Sequence, residues 1–207
     1  MWKAFWFAVL IACSTPVCLH AQTTLSAIAG ASIATATGDR LPDVQHVTRV
    51  RFGAQLDLPI SDRMGIQLGA TYAQKGVDFD TSDEFGRLHF DYFEFPLLLR
   101  LNLLPNSEGI APHLLLGPAV AIEFKCQLPD FQPIGALTRD CRFIEVALDD
   151  LDVGAIAGLG IRIPVTGQTS LTLSALFNQA LTGAAEGVLD VTNRAFYMTA
   201  GLGVRLP

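Results

Sequence analysis

Apolar and polar side chains alternate one by one along most of this chain. In the segment 168–178, Leu171 and Leu173 fall on one parity, whereas Thr172 and Asn178 fall on the other. Because successive side chains of a β-strand point to opposite faces, this alternation predicts a strand with one apolar and one polar face. The same rhythm predicts eight strands, at about 24–35, 47–58, 63–79, 88–103, 110–125, 151–163, 168–178 and 194–206.

The connections between these strands alternate in length. Those after the second, fourth and sixth strands are tight and rich in Pro, Gly, Asn, Ser and Asp, whereas the others are longer and more polar, among them 80–86 and 126–149. A soluble sandwich has no reason to sort its loops by end, but outer-membrane barrels have short periplasmic turns and long outer loops. We therefore predict an all-β fold, an eight-stranded antiparallel up-and-down transmembrane β-barrel with short periplasmic turns and longer outer loops.

One predicted strand contains a proline. Pro96 lies in the middle of the fourth strand. Proline has no N–H to donate to a ladder and is found at edges and bulges. We therefore expect a local bulge near Pro96.

Composition favours a membrane barrel over a soluble one. The chain has 207 residues, of which 50% are hydrophobic and only 16% are charged, and its mean hydropathy is +0.38. Soluble domains usually contain about a quarter of charged residues. After the N-terminal leader no apolar run reaches the roughly 18 residues that a transmembrane helix needs. A barrel in the cell outer membrane accounts for both observations.

The N-terminus has the features of a secretion signal. Lys3 precedes an apolar run from Ala4 to Ala12, and cleavage after Ala21 is plausible. We predict a signal peptide at 1–21 and an outer-membrane β-barrel domain at 22–207. The alternative is a lipoprotein box that ends at Cys13, which would then carry a lipid.

Two cysteines remain beyond the leader. Cys126 and Cys141 have 14 residues between them and no histidine near them at ligand spacing. In an oxidising compartment such a pair favours a disulfide over a metal site. We predict a disulfide between them, no metal and no cofactor.

Charged residues concentrate on the polar parity of the strands. An Arg or Lys that faces lipid at the bilayer midplane costs about 2–4 kcal/mol, so these side chains should face the lumen and pair there. The predicted lumen network contains Arg49, Arg51, Asp57, Glu94, Arg100, Glu123, Arg162 and Arg205, and Lys125 falls on the same parity. A network of this kind would fill the barrel and argues against an open pore.

Three segments resemble a known family. They are G-I-Q-L-G-A-T-Y-A-Q-K-G at 65–76, D-Y-F-E-F-P-L-L-L-R at 91–100 and P-H-L-L-L-G-P-A-V-A at 112–121. They resemble the PorT-like outer-membrane β-barrel family of Bacteroidetes-type bacteria. The resemblance implies an eight-stranded outer-membrane barrel and little chemistry, since most members have no assigned activity. The chain departs from such barrels by ending in Leu206-Pro207 rather than in an aromatic residue.

The function predicted from these features is structural or interactive. We expect a monomeric barrel in outer-membrane lipid whose outer loops, above all the 126–148 loop, contact an extracellular or envelope protein. The net charge of −6 and the absence of a basic patch argue against nucleic-acid binding. Two alternatives stay open. One is a narrow solute channel, and the other is a lipid A-modifying enzyme that uses His89 and Asp91 with Ser82, although no motif fixes these three residues and we predict no enzyme.

Overall fold

The computed structural model describes residues 23–37, 44–81, 84–104, 109–128, 139–140, 151–182 and 192–207. In this described part the chain forms ten strands. They are β1 (Thr24–Thr37), β2 (Val44–Gln45), β3 (Val47–Pro59), β4 (Met64–Thr81), β5 (Glu84–Asn102), β6 (Ala111–Leu128), β7 (Arg139–Asp140), β8 (Leu151–Pro164), β9 (Thr169–Ala180) and β10 (Thr192–Arg205). Among these residues no helix is long and apolar enough to cross a membrane.

The eight long strands close into an antiparallel barrel. Each pairs with its neighbours in the chain, and the ladder between β1 and β10 joins the first strand to the last, with Leu25 opposite Val204. Closure leaves no row of unpaired backbone groups to face lipid. The predicted eight-stranded antiparallel barrel is confirmed.

The two ends of the barrel differ. The connections from β3 to β4, from β5 to β6 and from β8 to β9 join their strands at the end where β1 begins and β10 finishes. We call this the turn end and the opposite one the loop end. Backbone hydrogen bonds tighten the turns, for example from Ile60 N to Met64 O (2.9 Å) and from Val165 N to Thr169 O (2.8 Å).

The predicted parity of the strands is that of the structure except near the end of β6. Large apolar side chains such as Phe52, Phe93, Leu159 and Leu202 stand exposed on the outer face, as lipid requires. Residues of the opposite parity are buried in the lumen. Four outer rings also contact one another on β3 to β6, with centroids 4.6 Å apart for Phe93 and Phe124 and 4.9 Å apart for Phe52 and Tyr72.

Strands β4, β5 and β6 are taller than the others. They have 18, 19 and 18 residues, whereas about 9–11 residues cross a membrane. The surplus lies at the loop end, where β4 also pairs with β2 and β6 pairs with β7. We call this sheet, residues 44–45, 76–81, 84–89, 127–128 and 139–140, the raised wall. The predicted loop at 80–86 is wrong in extent, because Thr81 already pairs with Glu84.

The predicted bulge is misplaced. The register across Pro96 is continuous, with Pro96 opposite Ala119. The strand tolerates the proline because its ring lies over Gly69, where an added Cβ would be 2.6 Å from Pro96 Cγ. The register shift lies instead between Asp91 and Tyr92.

That shift moves one predicted lumen residue to the outside. Asp91 pairs with Lys125 but Tyr92 pairs with Glu123, so Phe124 is the extra residue. Beyond an inserted residue the side-chain parity inverts. Lys125 therefore shares the outer face with Asp91 and is exposed. Its predicted lumen position is wrong for this reason.

Candidate functional site

The lumen contains two groups of charged side chains with an apolar layer between them. The loop-end network consists of Arg51, Lys75, Glu94 and Asp152 with the neutral residues Asn178 and Tyr197. The turn-end cluster consists of Asp57, Arg100 and Arg162 with Gln67 and His113.

Glu94 is the centre of the loop-end network. Its carboxylate is 0% exposed, and Oε1 accepts a hydrogen bond from Arg51 Nη1 at 2.7 Å. Oε2 accepts from the Tyr197 hydroxyl at 2.8 Å and from Asn178 Nδ2 at 2.9 Å. Lys75 Nζ lies 3.7 Å from the same oxygen. Both oxygens are thus surrounded by donors, which is what a buried carboxylate needs to stay charged.

The two cations of this network are held by more than Glu94. Lys75 Nζ is 3.5 Å from Asp152 Oδ2 and 4.7 Å from the centre of the Tyr92 ring. The Arg51 guanidinium lies 3.9 Å from the centre of the Tyr197 ring. Two cations therefore face two carboxylates and two aromatic rings, and the formal charges of Arg51, Lys75, Glu94 and Asp152 cancel.

Below the network the lumen is apolar. Leu98, Leu115 and Ile156 come from three different strands and are at most 2% exposed, and Leu176 packs in the same cluster. Beside them lies a cavity of about 20 Å³ with polar atoms of Gln55, Gln67 and Thr71 in its lining. Such a volume holds about one water molecule.

The turn-end cluster is built around Asp57. Its Oδ1 accepts a hydrogen bond from Arg100 Nη1 at 2.9 Å, and Gln67 Nε2 lies 3.5 Å from the same oxygen. Arg162 Nη2 is 3.3 Å from Oδ2, and the Arg162 side chain is 25% exposed. His113 Nδ1 lies 3.1 Å from the Ala111 carbonyl oxygen, to which it donates a hydrogen bond in the Nδ1–H tautomer.

The predicted lumen residues divide between these groups and the rims. Arg51 and Glu94 meet in the loop-end network, and Asp57, Arg100 and Arg162 meet in the turn-end cluster. Glu123 Oε2 accepts from the Tyr92 hydroxyl at 3.3 Å. Arg49 is half-buried and interacts with other residues. Arg205 is exposed and donates to the Gly167 carbonyl oxygen at 3.1 Å.

The network predicted from the sequence left out four members of the loop-end network, namely Lys75, Asp152, Asn178 and Tyr197. Lys75 follows the lumen parity of β4 one step beyond the residues that the pattern assigned inward, and Asp152 and Asn178 have the same parity on β8 and β9. The signal that finds them is the same alternation, carried to the ends of the strands that the structure shows.

The candidate catalytic residues are not assembled in the described part of the chain. Asp91 lies on the outer face, where its Oδ1 accepts a hydrogen bond from Gln74 Nε2 at 3.2 Å. Ser82 and the side chain of His89 lie outside the described residues, as do the leader, the side chain of Cys126 and Cys141. Within the described residues no three His, Cys, Asp or Glu side chains are grouped so that they could hold a metal ion.

Comparison with known proteins agrees with this architecture. Residues 19–186 match the model of the family described as "Outer membrane protein beta-barrel domain". The chain belongs to this family. The protein is therefore an outer-membrane barrel, and we assign the turn end to the periplasm, where barrels of this kind have their short turns. No curated protein matches the sequence.

Solved outer-membrane barrels share the fold at low sequence identity. OprG from Pseudomonas aeruginosa is similar with a TM-score of 0.58 and 14% identity over 90% of this chain and 96% of that one. Neisserial surface protein A has a TM-score of 0.54 and 13% identity, covering 89% and 97%. The outer membrane protease OmpT from Escherichia coli has a TM-score of 0.51 and 9% identity, covering 93% and 99%. At such identities the similarity concerns the fold alone.

Proposed function

We propose that this outer-membrane barrel has a structural or interaction role that it performs through its loop end, without conducting solutes and without catalysis. The observation that carries the proposal is the raised wall. It continues a membrane-spanning sheet into the space beyond the membrane, where it would be accessible to a partner molecule. The partner we propose is an extracellular or envelope protein.

The raised wall has the properties of a rigid platform. In it the backbone of β4, β5 and β6 stays in register, with Gly76 opposite His89 and His89 opposite Gln127. A free loop loses conformational entropy when a partner orders it, and this loss weakens association. A backbone that is already paired in a sheet has little such entropy to lose. A partner would therefore bind here at a lower entropic cost than at a free loop.

The 126–148 loop extends from this wall and is the second part of the proposed surface. We propose that a disulfide joins Cys126 to Cys141 and closes it. Gln127 pairs with Asp140 and Leu128 with Arg139, and the next step of that antiparallel register would join positions 126 and 141. Closing a loop limits its freedom in the unbound state.

The filled lumen argues against the channel alternative. A solute would have to separate Glu94 from Arg51, which lie 2.7 Å apart and are almost fully buried. Removing one partner of a buried ion pair costs about 3–5 kcal/mol, and the apolar layer below adds a second barrier. We therefore propose that the barrel is closed. We also propose that it is monomeric and surrounded by lipid.

We further propose that, among outer-membrane barrels, the chain is a member of the PorT-like family. The segments at 65–76, 91–100 and 112–121 support a PorT-like barrel. They form the turn-end and middle parts of β4, β5 and β6, so the resemblance concerns the tall side of the barrel.

Photo-crosslinking in cells tests the proposed role. A photoreactive residue is placed at Phe131 in the 126–148 loop or at Thr81 on the raised wall, with Ser61 in a turn as the matched control. We expect one defined protein adduct from the two loop-end positions and none from Ser61. Adducts that are absent from the loop end, or that are the same at all three positions, would contradict the proposal.

A further inference from the structure

The turn-end cluster carries an excess of positive charge. Arg100 and Arg162 share the single carboxylate of Asp57, at 2.9 Å and 3.3 Å. The loop-end network, in contrast, is neutral. A guanidinium stays charged in proteins, so the extra cation cannot be removed by loss of a proton. Among the described side chains, no second carboxylate is paired with either arginine.

Several nitrogen atoms of the cluster are buried without a hydrogen-bond partner. The donors among them are Arg100 Nε and Arg162 Nε, whereas His113 Nε2 is an acceptor because Nδ1 carries the ring hydrogen. Asp57 contacts one Nη group of each arginine, Arg100 Nη1 and Arg162 Nη2, and each Nε–H is left without a partner. A buried donor without a partner costs about 1–3 kcal/mol, so a ligand that accepts hydrogen bonds from these groups would be stabilised.

The His113 ring is held in this site by its surroundings. It is 2% exposed, and the opposite residue on β8 is Gly160, where an added Cβ would be 2.2 Å from His113 Nε2. The ring therefore occupies the space that a side chain at 160 would fill. The charges of Arg100, Arg162 and Asp57 all act on it.

One arginine of the cluster is partly exposed at the turn end, and the neighbouring lumen side chains are small. Arg162 is 25% exposed, which gives a small ion access from the turn end. Thr24 lies opposite Asp57 on β1, and Thr172 lies opposite Arg162 on β9. These short side chains project little into the lumen, which leaves room for the long arginine side chains.

We propose that the turn-end cluster binds a small oxyanion, such as inorganic phosphate or a free carboxylate, that enters the lumen from the periplasm. Arginine is the residue best suited to oxyanions, because its planar N–H groups match their oxygens two at a time. Arg100 and Arg162 would donate through their open N–H groups, with Arg162 as the first contact at the mouth. The inference is independent of the proposed loop-end role.

Calorimetric titration with inorganic phosphate tests the site. The full chain, folded in an amine-oxide detergent that contains no phosphate, should bind phosphate saturably in a chloride buffer of constant ionic strength. We expect Arg162→Gln to weaken binding at least tenfold. Arg205→Gln is the matched control, since Arg205 is an exposed arginine at the same end that bonds to Gly167, and it should bind as the unmodified protein does.

Two further arms keep the test decisive. Arg162→Lys keeps the charge but loses the open Nε–H, and we expect this variant to bind phosphate more weakly than the unmodified protein. It takes the place of Arg162→Gln if Arg162→Gln lacks the heat-modifiable migration of a folded barrel. Micelles that contain phosphatidylglycerol should not displace phosphate, because the site lies inside the barrel. Absence of saturable binding, equal loss in Arg205→Gln, unchanged binding in Arg162→Lys or displacement by the lipid would overturn the proposal.

Discussion

The two charged groups of the lumen use the same residue types in different ways. In the loop-end network, Glu94 is 0% exposed and receives donors from Arg51, Tyr197 and Asn178. In the turn-end cluster, Asp57 lies between two arginines, one of which is 25% exposed. The first is neutral and largely buried, whereas the second carries an extra cation and includes a partly exposed arginine.

This difference indicates separate roles for the two groups. A buried ion pair contributes little net stability compared with apolar packing, but removing one partner is strongly destabilising. The loop-end network therefore locks the lumen in one arrangement. The turn-end cluster, which carries an extra cation and has one partly exposed arginine, should tolerate change better and is free to take up a ligand.

The largest expected effect is that of Glu94→Gln. It leaves Arg51 and Lys75 buried without their shared carboxylate, so we expect the free energy of unfolding to fall by about 3–5 kcal/mol. Urea titration of the barrel in lipid vesicles measures it. The matched variant Asp57→Asn should lose less, because one of the two arginines that it leaves without a carboxylate, Arg162, is 25% exposed. Equal losses would remove the distinction between the two groups.

Tyr197→Phe sharpens the contrast within the loop-end network. It removes a hydroxyl that donates to Glu94 Oε2 at 2.8 Å, and hydrogen bonds to charged groups contribute about 1.5–3 kcal/mol. Tyr72→Phe is the control. Its hydroxyl accepts from Gln74 at 2.8 Å on the outer face, and we expect a loss of about 1 kcal/mol or less there. The same urea titration compares them, and a larger loss for Tyr72→Phe would speak against the account.

Gly160→Ala tests how tightly the turn-end cluster is packed. The new Cβ would be 2.2 Å from His113 Nε2, and overpacking of this kind costs about 1–3 kcal/mol. Gly167→Ala, with nothing within 4 Å of the new Cβ, should leave the thermal midpoint nearly unchanged. His113→Ala should restore most of the loss in the Gly160→Ala background. Without such restoration, the His113 contact is not the cause.

Arg162→Gln should have the smallest effect on stability. Asp57 keeps its hydrogen bond from Arg100, and exposed ion pairs contribute about 0–1 kcal/mol. We expect the unfolding free energy to change by about 1 kcal/mol or less. A loss as large as that of Glu94→Gln would show that the two ends of the lumen are equally rigid.

The alternation of side chains predicted the strands, and the alternating loop lengths and the hydrophobic composition favoured a membrane barrel over a soluble sandwich. Each strand has one face in lipid and one in the lumen, so parity alone placed Phe93 outside and Glu94 inside. The loop prediction at 80–86 failed because its polar residues indicate solvent, and solvent surrounds the raised wall as well as a loop. The bulge was also misplaced, because an extra residue such as Phe124 leaves no trace in an alternating pattern until the partner strand is known.

The partners across the lumen could not be predicted in the same way. Arg51 and Glu94 are 43 residues apart and belong to β3 and β5, which are not neighbours in the barrel. Parity shows that both point inward, but their meeting depends on the tilt and stagger of the strands. The sequence therefore predicts a charged lumen without separating the loop-end network from the turn-end cluster.

Conductance in planar lipid bilayers tests the central claim, that the lumen is closed by the loop-end network and the apolar layer. The purified full chain is inserted at neutral pH, and the current is recorded over a range of voltages. We predict a current baseline without discrete steps. Heat-modifiable migration of the recovered protein verifies that the barrel was folded. Stable, repeated current steps from the unmodified barrel would contradict it.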